Sequence, residues 1–347
     1  MFLRPVPPPY DPLEWAKRPF AERARMVCAS WALQGYGTPL VVYAVYAVKV
    51  ALYVGVWLFL CERSAIPWLS PVAFEKAIVW SMLFEVLGLG CGSGPLTGRY
   101  LPPIGGALYF LRRGTTKMPV FARAPIIGGH RRSWLDVALY AALVGLAVFE
   151  LTAAVPDRAL LAAIAVLLPI LGVLDKTLFL CARGEHYWTT IAIMALTPQF
   201  VPGAKAIHAA LWLWAGVSKL NHHFPSVVGV MTSNSPLARF GAVRRRMYRS
   251  YPDDLRPSSL AVVAAHAGTA LELAVPVLLL SGSGGPVTHV GLGLMLLLHV
   301  FITSNVPMGV PIEWNVMVVY GAVFLFGAHA ETSVPAVGSI PLGAILL

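Results

Sequence analysis

Lys205, His208, Trp212, Gly216 and Lys219 recur at steps of three, four, four and three residues in an otherwise apolar stretch. At 100° per residue they share one narrow face of a helix, ~21 Å long at 1.5 Å per residue. An ionised group at mid-membrane costs about 2.5–3.5 kcal/mol, so such a face is expected to look into a bundle or a cavity, not at lipid. The chemistry it suggests is proton transfer, or the anchoring of an acidic ligand. An amine withdrawn from water is partly neutral and basic. Trp212 adds a ring surface, and Gly216 leaves room for a ligand or another backbone. The alternative is that Lys219 reaches the inner interface, with Asn221, His222 and His223 already in water.

Other ionisable residues fall in apolar runs. Glu272 lies deep in Ala270-Leu-Glu-Leu-Ala-Val-Pro276. A carboxylate there pairs with a cation from another helix, Lys219 or Lys49, or stays protonated. His266 is six residues earlier, about 120° away around the helix. His299 sits within Leu296-Leu-Leu-His-Val-Phe301 and His289 near the start of the same run; a lone buried histidine also serves as a hydrogen-bonded core residue. Glu150, Asp175, Lys176 and Lys205 lie near span ends, where side chains can snorkel to headgroups. Glu85 precedes the glycine-rich run 88–94, which lacks the trailing Lys-Ser/Thr of a phosphate-binding loop and reads as a site of close helix packing. Neither HExxH nor a carboxylate triad occurs, and no GxSxG elbow. Cys28, Cys61, Cys91 and Cys181 are scattered singly, so no metal site and no disulfide framework is expected.

These residues need helices to hold them. The chain has 347 residues, 57% hydrophobic and 12% charged, with mean hydropathy +0.70. A soluble domain is about 25% charged, so an all-α, polytopic membrane bundle is expected. About 20 apolar residues cross the hydrocarbon, which gives nine spans: 39–60, 77–97, 134–155, 159–181, 188–202, 204–222, 260–281, 287–306 and 314–330. Basic residues cluster in segments 98–133 and 239–256 and before residue 26. An even number of spans separates the first two, and the positive-inside rule puts all three segments, with the N-terminus, on the cytoplasmic side. The net charge of +10 is thereby a membrane feature, and nucleic acid is not an expected partner. Residues 11–27 suit an interfacial helix or a solvated tail. The apolar loop from Leu101 is too short to cross. The opening residues lack the apolar core of a signal peptide. The apolar end 340–347 looks like the start of a tenth span, in a chain that continues. The expected organisation is 1–38 cytoplasmic or interfacial, 39–133 two spans and a basic loop, 134–330 a helical core, and 331–347 the start of a further apolar segment. The inner (plasma) membrane is the expected location.

The phrase Trp214-Ala-Gly-Val-Ser-Lys-Leu-Asn-His-His-Phe224 resembles a signature of the HTTM superfamily, which includes vitamin K-dependent gamma-carboxylase. The matching features are Trp214, Ala215-Gly216, Lys219-Leu220 and Phe224, the last standing where that family usually has tryptophan. Leu271-Glu272-Leu273 and His299 fill the places of the family's Glu-Leu pair and the histidine of its next helix. The resemblance covers roughly residues 134–330 and extends to an uncharacterised actinobacterial multi-pass family. It implies Lys219 as a base acting on a quinol, with Glu272 and His299 as further catalytic residues. His208, Trp212, Gly216 and His266 are the expected ligand-binding residues. The large extracytoplasmic domain of the carboxylase has no counterpart here, which argues against carboxylation of protein glutamate. Three readings follow: an HTTM-type protein binding a quinone or lipid in a lateral pocket, an accessory or scaffold subunit of a membrane protein complex, or a transporter. No internal repeat of the kind many transporters carry is found.

Overall fold

A computed structural model describes residues 7–90, 105–125, 128–235, 241–305 and 311–334. The first helices are α1 (Pro12–Lys17), α2 (Phe20–Gln34), α3 (Leu40–Arg63), α4 (Pro71–Val86) and α5 (Gly105–Phe110). Then come α6 (Trp134–Thr152), α7 (Arg158–Leu174), α8 (Lys176–Cys181), α9 (Tyr187–Leu196) and α10 (Val201–Ser218). After α11 (Phe224–Asn234) and α12 (Gly241–Arg246) a small antiparallel hairpin forms from β1 (Tyr248–Ser250) and β2 (Asp254–Pro257). The chain continues with α13 (Ser259–Ser281), α14 (Pro286–Thr303) and α15 (Ile312–Ala322), which a π-helical turn extends through Val323–Ala328. Most of the glycine-rich run, the first residues of the loop from Leu101, and the apolar end from Ile340 lie outside the described residues. Two compact units result: Met1–Val48, Trp212–Pro276 and Gly293–Val310 form one, and Lys49–Leu211, Val277–Leu292 and Pro311–Leu347 the other.

Among the described residues, four helices are long and apolar enough to cross a membrane: α3, α6, α13 and α14. Each exposes large apolar side chains, such as Phe59, Phe149, Val263 and Leu297. In α3 only Tyr53 and Cys61 are buried, a surface suited to lipid and not to water. Three of the remaining predicted spans differ from the observed helices, while 204–222 and 314–330 fall on α10 and on α15 with its π-helical turn. The predicted 188–202 is α9, ten residues and about 15 Å long, half the ~30 Å of hydrocarbon. The predicted 159–181 breaks at Asp175, which ends α7 and caps α8 by accepting from Thr177 N at 3.1 Å. The predicted 77–97 starts earlier, at Pro71, and its helix ends at Val86. Apolar length alone does not separate a crossing helix from a short helix buried among others.

The larger unit is built around α4. All residues from Ala73 to Val86 are buried, Glu75, Lys76 and Glu85 included, and each charge has a partner. Arg158 meets Glu75 at 3.0 Å, Arg183 meets Glu85 at 3.3 Å, and Lys76 donates to the Leu151 and Ala153 carbonyls at 2.7 and 2.6 Å. The basic loop before α6 is tied down in the same way, by Lys117 to Asp136 at 2.9 Å and Arg132 to Asp175 at 2.7 Å. Asp175 and Glu150 are therefore buried, the latter accepting from Asp157 N at 3.2 Å; neither snorkels. Lys205 is also buried, donating to the Ala330 carbonyl at 3.3 Å and the Thr332 carbonyl at 2.5 Å, while Lys176 is exposed.

In the smaller unit, α11 packs on α2, and Asn234 Nδ2 donates to the Trp31 carbonyl at 3.0 Å. The hairpin is fastened by a cluster of Ala32, Met247, Tyr248 and Ala261, with Tyr251 and Leu255 against it. The segment read as interfacial is helical in α1 and α2, with Leu13 and Phe20 exposed beside charged neighbours.

Candidate functional site

The polar face of α10 is buried as its spacing predicts. Lys205, His208, Trp212 and Gly216 are buried, and Lys219 is half-buried. The helix stops at Ser218, so Lys219 sits in the turn that ends it, its N–H donating to the Gly216 carbonyl at 3.0 Å. Its amine is hydrogen-bonded to Glu272 Oε2 of α13. The Lys219 side chain keeps 26% of its surface exposed, that of Glu272 5%. Of the two partners the sequence allowed, Lys219 is the one Glu272 takes; Lys49 donates to the Gly90 carbonyl at 2.8 Å. The Lys219 amine also lies 5.8 Å from the centre of the Phe224 ring, the aromatic that ends the signature phrase.

Two turns earlier, Trp212 Nε1 donates to His299 Nε2 of α14 at 3.1 Å. An indole N–H can only donate, so this nitrogen of His299 accepts, which places the proton of a neutral ring on Nδ1. Gly216 lies between the two pairs. A Cβ there would come within 2.7 Å of Leu273 Cδ2, so the room it leaves is filled by a leucine of α13. Lys219, Glu272, Trp212 and His299 thus come together in the smaller unit as two hydrogen-bonded pairs. As a base, Lys219 must first release a proton toward Glu272; as a cation, it is held in place by that carboxylate.

The other expected ligand residues, His208 and His266, stand on the same two helices, α10 and α13. His266 is exposed on α13. His208 belongs to the larger unit, its Nε2 3.2 Å from the Val318 carbonyl. Glycine is required opposite it: a Cβ on Gly321 would approach the His208 ring nitrogen to 2.7 Å. Because an imidazole is rigid, Gly321→Ala is expected to destabilise the protein by about 1–3 kcal/mol, read from thermal unfolding of the purified chain in detergent. Loss of under half that amount would mean the ring moves freely.

Sequence reasoning missed a cluster in the larger unit. His186 is fully buried, stacked on Tyr187 at 4.7 Å and edge-on to His208 at 5.1 Å. Both nitrogens of His186 and the Tyr187 hydroxyl are buried without a hydrogen bond among the described residues. The signal was the polar-aromatic run Arg183-Gly-Glu-His-Tyr-Trp188, which looked like an ordinary connection between spans. An unpaired buried hydroxyl costs about 1–3 kcal/mol. Tyr187→Phe is therefore expected to leave stability unchanged or raise it; a fall of more than about 1 kcal/mol would reveal a bonded partner for the hydroxyl.

Among the described residues no group of three or more His, Cys, Asp or Glu side chains could hold a metal ion. No curated protein and no solved structure is significantly similar to the chain. Helices with lipid-type outer surfaces and charges paired inside are the construction of a membrane-embedded protein, and the family described as transmembrane protein of unknown function (DUF3556) matches residues 1–347, so the chain belongs to that family.

Proposed function

We propose that this membrane protein is of the HTTM type and binds a quinone or a lipid in a lateral site. Lys219 is the ligand-anchoring cation or the base, and Glu272 and His299 set its charge or relay its proton. The observation that carries this reading is the Lys219–Glu272 pair. It sits at the end of a helix face that also bears the Trp212–His299 pair, and the Lys219 side chain keeps 26% of its surface exposed. A carboxylate behind the amine orients it, and a general base must lie within hydrogen-bond reach of the proton it removes. Trp212 and Phe224 supply ring surfaces on either side of the amine's helix turn.

The test is photo-crosslinking of an azido-quinone to the purified full chain in nanodiscs. Labelling is expected on the segments around Lys219, Glu272 and His299, reduced at least about ten-fold by Lys219→Ala, as expected when a charged anchor is lost. Lys219→Arg retaining the label shows that a positive charge at this position is enough to anchor the probe. Equal labelling of all three proteins would overturn the proposal.

A second reading, a non-enzymatic scaffold subunit, is favoured by one observation. Leu273 fills the space beside Gly216, so the face joins helices as well as it could line a site.

A further inference from the structure

We propose that the notch between the β1–β2 hairpin and the start of α13 binds the headgroup of an anionic phospholipid. A cavity of about 570 Å³ opens there, lined by Arg249, Pro257, Ser258, Ser259, Val262 and Val263. Its chemistry changes along its length. A guanidinium and the Ser259 hydroxyl stand at the hairpin end, where Ser258 Oγ donates to the Arg246 carbonyl and accepts from Ala261 N at 3.2 Å, and one turn into α13 come Val262 and Val263, both exposed. Because α13 is of crossing length and begins at Ser259, the polar end lies where a span leaves the hydrocarbon, at headgroup level, and the valines lie where an acyl chain begins.

Charge points to the same occupant. Residues 241–258 carry Arg244, Arg245, Arg246, Arg249 and Arg256 against Asp253 and Asp254. Arg256 is tied to Asp254 by contacts of 2.6 to 3.0 Å, which hold that carboxyl down to about 2. Arg244 donates to the Ser233 carbonyl at 3.1 Å. Arg249 makes no ion pair within 4.0 Å among the described residues, although its charge also acts on Asp254; it is exposed, and it is the arginine that lines the cavity. A guanidinium fork matches a phosphate, and basic clusters beside a span attract anionic lipid. The site is also built to hold its shape. Tyr248 hydrogen-bonds Ser233 at 3.0 Å, Ser258 N donates to the Met247 carbonyl at 3.0 Å, and the Ala32–Met247–Tyr248–Ala261 cluster lies beneath the hairpin. A nucleic acid or a free anion would have no use for the valine end.

The experiment uses the full chain in nanodiscs of equal parts phosphatidylglycerol and phosphatidylcholine, with the lipids retained after gentle release identified by native mass spectrometry. Wild type should retain phosphatidylglycerol in preference. Arg249→Ala should cut that preference about five-fold, the equivalent of one arginine at a charged surface, while Arg249→Lys keeps most of it. Arg112→Ala, an exposed arginine elsewhere, should leave it unchanged. A wild type without preference, an Arg249→Ala variant that keeps it, or its loss on adding inorganic phosphate, which would mark a free-anion site, each overturns the proposal. Quinone labelling at Lys219 is expected to be indifferent to Arg249, so this site and the proposed function fail separately.

Discussion

Asp175→Asn is expected to destabilise the folded protein by about 3–5 kcal/mol, the usual cost of removing one partner from a buried ion pair. Asp175 is 2% exposed, and its carboxylate is the hub of a loop. One oxygen accepts from Met118 N at 3.0 Å and Thr177 N at 3.1 Å, the other from Arg132 at 2.7 Å. Arg132 is equally enclosed, donating to Thr115 Oγ1 at 3.1 Å with its guanidinium 4.7 Å from the centre of the Phe110 ring. An asparagine keeps an oxygen for the backbone donors but turns an uncharged amide toward a buried cation. The cost is therefore that of a charge left without a counter-ion, not that of a lost bond. Removing both charges separates the two. Arg132→Met with Asp175→Leu should recover all but about 1–2 kcal/mol, the remainder being the cap of α8 and the acceptor lost to Met118 N. Urea or thermal unfolding in detergent checks both variants. An Asp175→Asn protein within about 1 kcal/mol of wild type would show that this pair does not hold the loop.

The same physics explains what the sequence concealed. A membrane span is read by where charges stop, so the predicted second span began after Lys76. The helix in fact starts at Pro71 and buries Glu75 and Lys76, because Arg158 and two carbonyls from distant segments satisfy them. Pairing over such separations has no local signature. The span over α9 is short and proline-bounded in the sequence itself, but ten residues wrapped by other helices still look like half of a span. The face of α10 was legible because it depends only on periodicity within one helix, and it is buried from Lys205 to Gly216 as expected. What periodicity could not give was the partner of each residue. It left Glu272 with two candidate lysines and passed over His186 and Tyr187, whose significance is their complete burial.

The Lys219–Glu272 pair should behave asymmetrically when it is dismantled. Glu272 is 3% exposed, so Lys219→Met strands a buried carboxylate and is expected to cost about 2–4 kcal/mol. The Lys219 side chain keeps 26% of its surface open and can turn toward polar surroundings once its partner is gone. Glu272→Gln is therefore expected to cost only about 1 kcal/mol. The double variant Lys219→Met with Glu272→Leu removes both charges and should return most of the stability lost by Lys219→Met; with Glu272→Leu alone as the remaining corner, the double-mutant cycle gives a coupling energy of about 1.5–3 kcal/mol. Its value lies in what stability does not report. If the pair only joins helices, the double variant is as functional as it is stable: it assembles normally and takes the quinone probe as wild type does. If the amine serves a ligand, the double variant folds like wild type yet does not label. Equal costs for the two single variants would mean that Lys219 is as enclosed as Glu272, and a ligand could then reach the amine only by displacing the carboxylate.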